Sequence, residues 1–181
     1  TKKRNKLLYQ SEHDELTGLY NKRSLNRYLE DVFEDCKLNE KELGILFLDI
    51  DYFKQLNDRY GHGKGDEGIC AVADTLKRIF PEDYVARYGG DEFLVVMPER
   101  DLAYAMEHAE LLCAGIRECK IPNEDSEVES WLTISVGGVC AIPKEPNRVW
   151  DFLSAADNTL YEQKKEQKGK VRFYQGEGKY L

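Results

Sequence analysis

Residues 43 to 51, LGILFLDID, constrain the fold more than any other stretch. The apolar run from Ile45 to Leu48 is unbroken, so a strand formed here is buried on both faces. That strand runs straight into Asp49 and Asp51. Residues 84 to 97, YVARYGGDEFLVVM, read as two more strands joined at Gly89-Gly90, a pair able to take the φ > 0 geometry of a tight hairpin. WLTISVGGVCAI, 131 to 142, reads as a further strand, and VRFY after the last helix as a short one.

Helical spacing fills the rest. The opening 25 residues carry helical character that breaks at Gly18. From Asn21 the series Leu25, Tyr28, Leu29, Val32, Phe33 follows a helical face, as does Ile69, Val72, Ala73, Leu76, Ile79, Phe80, which Pro81 stops. Helices are also expected over Leu102 to Cys119 and over 148 to 168, with NEDSEVES, 123 to 130, as a solvated loop. Strands and helices mix without strict βα alternation. The expected fold class is α+β, a central and largely antiparallel sheet flanked by helices.

A chain of 181 residues has the length of one domain. Its net charge of −8 argues against a nucleic acid polymer held by its phosphates, though not against a small phosphorylated ligand. The five cysteines are odd in number with no CxxC pair, which suits reduced thiols used as small apolar residues. No apolar run approaches the ~20 residues of a membrane span, and TKKRNKLLYQ lacks the apolar core of a signal peptide. The sequence opens on Thr1 rather than Met, so a longer parent protein is expected.

Asp49 and Asp51 close one core strand, and Asp91 and Glu92 open another. Taken alone, GGDE fits an acidic hairpin and LDID a strand end meeting solvent. If the two strands are neighbours, three or four carboxylates converge at one edge, where they repel unless protonated or neutralised. Mg²⁺, a hard ion with oxygen ligands, suits such a cluster. Period-two alternation points Asp91 and Glu92 to opposite sides unless the turn twists them together, which leaves open which one faces Asp49.

GHGKGDEG, 61 to 68, satisfies G-x-G-x-x-G but follows LNDRY rather than a strand, so a dinucleotide fingerprint fails. It reads as a flexible turn that delivers Asp66 to the start of a helix, as an N-cap or as a reader of guanine. A carboxylate can accept two parallel N–H bonds from the N1 and N2 edge of guanine, and Asn57 could add a polar contact. His13 and His62 read as structural, His108 as a surface residue, and Trp131 and Trp150 as core.

These pieces occur together in order. DELTGLYNKR (14–23), LDIDYFKQLND (48–58), GHGKGD (61–66), RYGGDEF (87–93), SVGG (135–138) and LYEQK (160–164) make the chain resemble the GGDEF family of diguanylate cyclases over nearly its whole length. The resemblance implies a palm-like nucleotide cyclase architecture over residues 13–181, with 1–12 as the end of a linker or signalling helix. It implies condensation of two GTP to cyclic di-GMP and two pyrophosphates, with Mg²⁺ (Mn²⁺ as an alternative) and a transient homodimer. A sensor domain is expected on the N-terminal side, and a cytoplasmic location for this domain.

By the same resemblance, Asp49, the carbonyl of Ile50, Asp91 and Glu92 form the metal site, and one carboxylate of the catalytic pair Asp91 and Glu92, taken to be Asp91, assists deprotonation of the attacking 3′-hydroxyl. Asn57 and Asp66 read guanine. Tyr52, Phe53 and Lys54 wrap the terminal phosphates, Gly89 and Gly90 leave room for the nucleotide, and Lys164 contacts the triphosphate. Lys168 stands where the family often has arginine; it keeps the charge but loses the bidentate fork. Many members carry an R-x-x-D product-inhibition site just before the signature. Here Phe80 replaces the arginine and Asp83 is retained, so no such site is expected. The competing reading is a non-catalytic GTP or cyclic dinucleotide-binding regulatory module. Retention of both signature carboxylates favours the enzyme, and Asp66 disfavours a mixed-dinucleotide cyclase.

Overall fold

The computed structural model describes residues 1–176 and 181. Its elements run α1 (Lys2–Glu12), α2 (Lys22–Leu38), β1 (Leu43–Ile50), α3 (Phe53–Tyr60), α4 (His62–Ile79), β2 (Tyr84–Arg87), β3 (Glu92–Pro98), α5 (Leu102–Glu118), β4 (Ile134–Ala141), α6 (Val149–Glu166) and β5 (Val171–Phe173). The strand order is β2-β3-β1-β4-β5. β1 pairs antiparallel with both β3 and β4, β2 with β3 likewise, and only β4–β5 is parallel. The α+β sheet is therefore largely antiparallel, as the sequence implied. Among the described residues no helix is long and apolar enough to cross a membrane.

The unbroken apolar run finds its reason at the centre of that sheet. Leu46, Leu48 and Ile50 face one side, where Ile69, Val72 and Leu76 of α4 and Leu112 and Ile116 of α5 cover them. Leu43, Ile45 and Phe47 face the other, against Leu25, Leu29 and Phe33 of α2 and Phe152 and Leu160 of α6. α6 lies close upon β4 because Gly137 has no side chain. A Cβ there would stand 2.3 Å from Leu160 N and 2.4 Å from Ala156 O. Asn21 caps α2 through Ser24 N (3.0 Å) and Asp101 caps α5 through Tyr104 N (2.8 Å).

Four local expectations are corrected. The first helix ends at Glu12, before Gly18, because the Asp14 carboxylate accepts from Thr17 N (2.9 Å) and Oγ1 (2.7 Å) and closes a turn there. The stretch read as a flexible turn is already helical from His62; Gly61, at φ 87°, is the hinge between α3 and α4. The acidic loop is anchored rather than merely solvated: its first residue, Asn123, is fully buried, and Arg59 bonds Glu124 (2.7 Å) and Asp125 (3.0 Å). Trp150 is 73% exposed and belongs to no core.

α1 buries no residue. It reaches the body through stacked rings: Tyr9 on His13 (3.9 Å), His13 on Tyr20 (4.7 Å), Tyr20 on Tyr84 (4.2 Å) and Tyr84 on Tyr28 (3.9 Å). His13 is thus a packing residue.

Candidate active site

The β1/β3 register places Asp49 opposite Glu92. Cross-strand partners share a face, so these two carboxylates point to the side that α6 covers. Asp91 sits in the turn just before β3, its carbonyl accepting from Ile50 N (3.3 Å). The pairing resolves the alternation problem: Glu92 faces Asp49 across the sheet, while Asp91 reaches the same region from the turn.

Burial pushes the Asp91 carboxyl above its ordinary range, and the charge of Asp49 adds to it. Glu92 is raised by burial and then by Asp91 and Asp49. Asp157 of α6, which the sequence reading did not single out, joins this group. Its side chain stays open to solvent, yet partial desolvation and then Asp49 shift it upward too. Lys164, two turns further along α6, donates from Nζ to Asp49 Oδ2 at 2.5 Å. Desolvation pulls the ammonium down, but that hydrogen bond and the surrounding carboxylates hold it above its usual value.

Asp51 does not join them. It is 1% exposed, and its oxygens accept from Ser135 Oγ (2.6 Å) and Thr133 Oγ1 (2.8 Å) on β4. Those bonds satisfy a buried carboxylate whose pKa burial raises. Asp51 is a structural tie.

Beside the carboxylates opens a cleft of about 460 Å³, lined among others by Tyr52, Phe53, Lys54, Asn57, Asp91 and Lys168. Tyr52 has left-handed backbone, φ 54° and ψ 37°, immediately before α3. The reversal aims the start of α3 at the cleft. The first N–H groups of a helix lack partners within it, and a left-handed residue followed by helix forms an anion-binding nest. Lys168 Nζ lies 5.2 Å from the Tyr52 ring centroid.

Asn57 projects from α3 against α4. Its Oδ1 is buried with no hydrogen-bond partner, and the room it occupies exists because residue 65 is glycine. A Cβ on Gly65 would fall 1.8 Å from that oxygen. Asp66 follows, exposed on α4 and one turn inside it, so it is not the N-cap.

The signature glycines also differ from expectation. Neither Gly89 nor Gly90 has positive φ. Arg87 instead holds the turn, donating from Nε to Gly89 O (3.2 Å) and from Nη2 to Gly90 O (2.7 Å), and from Nη1 to Asp14 (3.2 Å). A Cβ at Gly90 would meet nothing within 4 Å, so no contact inside the domain calls for glycine there, whereas one at Gly89 would stand 3.0 Å from Glu92 Oε2. The turn keeps one face clear of side chains.

Among the described residues no three His, Cys, Asp or Glu side chains stand ready to hold a metal. The donor set nevertheless fits Mg²⁺. Asp49 Oδ1 is buried and unpartnered, and its carboxylate neighbours push one another toward neutrality. Mg²⁺ commonly takes one or two carboxylates and fills its remaining positions from phosphate and water.

Comparison with known proteins gives this geometry its context. A profile described as "Diguanylate cyclase, GGDEF domain" matches residues 11–170. The chain belongs to the GGDEF family. It is 33% identical over 161 residues to the "Probable diguanylate cyclase DgcC" of Escherichia coli, covering 88% of this chain and 42% of the relative. It is 32% identical over 168 residues to "Diguanylate cyclase TpbB" of Pseudomonas aeruginosa, covering 92% and 38%. This GGDEF domain thus spans about two fifths of those relatives' length. The GGDEF domain of DgcB from Caulobacter crescentus, crystallised with c-di-GMP, aligns with TM-score 0.82 at 26% identity, covering 90% of this chain and 95% of that one. The palm-like cyclase fold is shared.

At the position of the R-x-x-D site, this GGDEF domain has Phe80 buried in the core. The Asp83 side chain, 1% exposed, accepts from Tyr104 Oη (2.7 Å) and Arg100 Nε (3.5 Å).

Proposed function

We propose that this domain is a diguanylate cyclase, joining two GTP into cyclic di-GMP with release of two pyrophosphates. The observation that carries the reading is Asp49 set opposite Glu92, with Asp91 in the adjoining turn lining a cleft that begins at the N-terminus of α3. That cleft suits a polyphosphate at one end and a base near Asn57 at the other.

The start of α3, at Phe53 and Lys54, offers main-chain N–H groups to the terminal phosphates after the Tyr52 reversal. Lys164 and Lys168 add positive charge. Asn57 and Asp66 select guanine, since a site built for one hydrogen-bond pattern rejects its mismatch. The open face at Gly89 and Gly90 admits the nucleotide to the backbone. Bound Mg²⁺, or Mn²⁺, would be held by Asp49, the Ile50 carbonyl, Asp91 and Glu92, and would supply charge neutralisation at the reacting phosphate. Asp91 accepts the proton of the 3′-hydroxyl from its place in the turn lining the cleft. The new bond joins O3′ to the α-phosphorus, the α–β phosphoanhydride breaks, and pyrophosphate leaves with the electron pair.

One domain carries one set of these residues, so two copies meet about a two-fold axis with their GTP molecules antiparallel. α1 is the end of a linker that brings the copies together. The purified domain, given GTP and Mg²⁺, is expected to yield cyclic di-GMP and pyrophosphate by chromatography. Glu92→Gln should lower turnover about a hundredfold to a thousandfold, as loss of a charge-stabilising group does. Stoichiometric GTP binding without product would assign the domain to the regulatory class instead, and a folded Glu92→Gln protein at wild-type rate would sink the metal assignment of that carboxylate.

A further inference from the structure

The carboxylates around Asp49 already have a cation among them. Lys164 Nζ sits 2.5 Å from Asp49 Oδ2, with side chains only 28% and 14% exposed. The other oxygen of Asp49 is buried and without a partner. Asp91, Glu92 and Asp157 stand around the pair, and Lys164 offsets the charge crowding at each of them. Its backbone cannot drift away, because α6 is seated on β4 through the missing side chain of Gly137.

We propose that Lys164 is the resident cation of this site. It occupies Asp49 in the nucleotide-free domain and excludes a free divalent ion. It yields only when a nucleoside triphosphate arrives with its metal and gives the ammonium a new anionic partner. The inference rests on the cyclase reading for the identity of that partner.

The physical argument has two halves. A divalent ion bound to Asp49 alone would share one carboxylate with an ammonium, placing like charges a few ångströms apart in a partly desolvated site, where repulsion is strong. An ammonium that left Asp49 with no new partner would in turn lose its hydrogen bond and shortest ion pair, a costly loss for a half-buried charge. A triphosphate removes both obstacles at once. Lys164 is therefore a positioning residue as well as a phosphate ligand: it keeps Asp49 aimed into the site and makes the metal–nucleotide complex, rather than the bare ion, the species that binds.

The test measures binding, not turnover. The nucleotide-free domain is titrated with Mn²⁺ while the free ion is counted by electron paramagnetic resonance. A second titration uses Mn²⁺ with 3′-deoxy-GTP, which cannot cyclise. Lys164→Met should bind Mn²⁺ alone about tenfold or more tightly than wild type, as removal of a unit charge near a divalent ion implies. The same variant should bind the Mn²⁺–nucleotide complex more weakly, and Lys164→Arg should stay near wild type in the first titration. Unchanged Mn²⁺ affinity in Lys164→Met overturns the proposal. So does tighter binding in both titrations, which would make the lysine a bystander charge. If Lys164→Met fails to fold by thermal melting, Lys164→Gln is read by the same criteria. Failure of wild type to bind 3′-deoxy-GTP would refute the substrate assignment, while the Mn²⁺ titration would still judge the lysine.

Discussion

Gly65→Ala separates stability from nucleotide recognition. In a helix interior this substitution ordinarily gains about 1 kcal/mol, because glycine is the poorer helix former. In α4 the new Cβ would lie 1.8 Å from Asn57 Oδ1 and 2.9 Å from its Cγ, so the Asn57 amide must rotate away. Moving a side chain off its rotamer costs roughly 0.5–1.5 kcal/mol, which about cancels the helical gain and leaves the melting temperature within a few degrees of wild type. The amide no longer meets the base, and a hydrogen bond of about 1 kcal/mol is lost from the complex. Loss of that hydrogen bond should lower GTP affinity about fivefold. Calorimetric titration with a non-cyclising GTP analogue measures this directly, and thermal denaturation measures the rest. The decisive control is the Asn57→Ala background, where Gly65→Ala should cost almost nothing in affinity because its target is gone. Undiminished binding in Gly65→Ala would refute the reasoning, as would an equal loss in both backgrounds.

Three further outcomes are expected. Asp91 and Glu92 have native pKa values raised by burial and by neighbouring carboxylates; the native state therefore holds protons that the unfolded chain releases, and ionisation at neutral pH costs stability that returns as pH falls through the raised values. Asp91→Asn or Glu92→Gln should accordingly melt above wild type at pH 7 without metal, with the gain shrinking toward the acid carboxylate range; a lower melting point at pH 7 would contradict this. Asp83→Ala strips the partner from Tyr104 Oη and Arg100 and should lower stability by about 1–3 kcal/mol in denaturant melts. The same variant should leave the calorimetric affinity for cyclic di-GMP unchanged, and loss of a tight binding site would reveal a feedback site there. Specific activity should climb with protein concentration from nanomolar to tens of micromolar, and a leucine zipper fused before Thr1 should raise it at low concentration; flat activity from a strict monomer would end the two-half-site mechanism.

Much of this molecule was legible because its signals are local. The run from Ile45 to Leu48 could only be a strand covered on both sides. Signals that depend on what lies opposite were not legible. Asp157 carries no mark in its own neighbourhood, and its place beside Asp49 comes only from the seating of α6 on β4. Trp150 looked like core by residue type, but it projects outward near the start of its helix. The two signature glycines suggested an unusual backbone, yet neither has positive φ, Arg87 holds the turn, and a close neighbour, Glu92 Oε2 at 3.0 Å from a built Cβ, exists at Gly89 alone.

Asp49 and Asp51 show the limit most sharply. They sit two residues apart, where strand periodicity would aim both at the same target. Regular pairing ends at Ile50, and at Tyr52 the chain turns through a left-handed conformation into α3. Asp51 still pairs its N–H with Thr133 O (3.0 Å). Its side chain accepts from Thr133 and from Ser135, the β4 partner of Asp49, so two hydroxyl groups satisfy it beside Asp49, the last strand residue facing Glu92. One carboxylate becomes part of the frame and the other part of the chemistry. The same backbone reversal directs the start of α3 toward the cleft. The buried hydroxyl bonds of Asp51 thus lie next to the partly buried carboxylates of Asp49 and Glu92, and a substitution at Asp51 should disturb the site without touching any ligand.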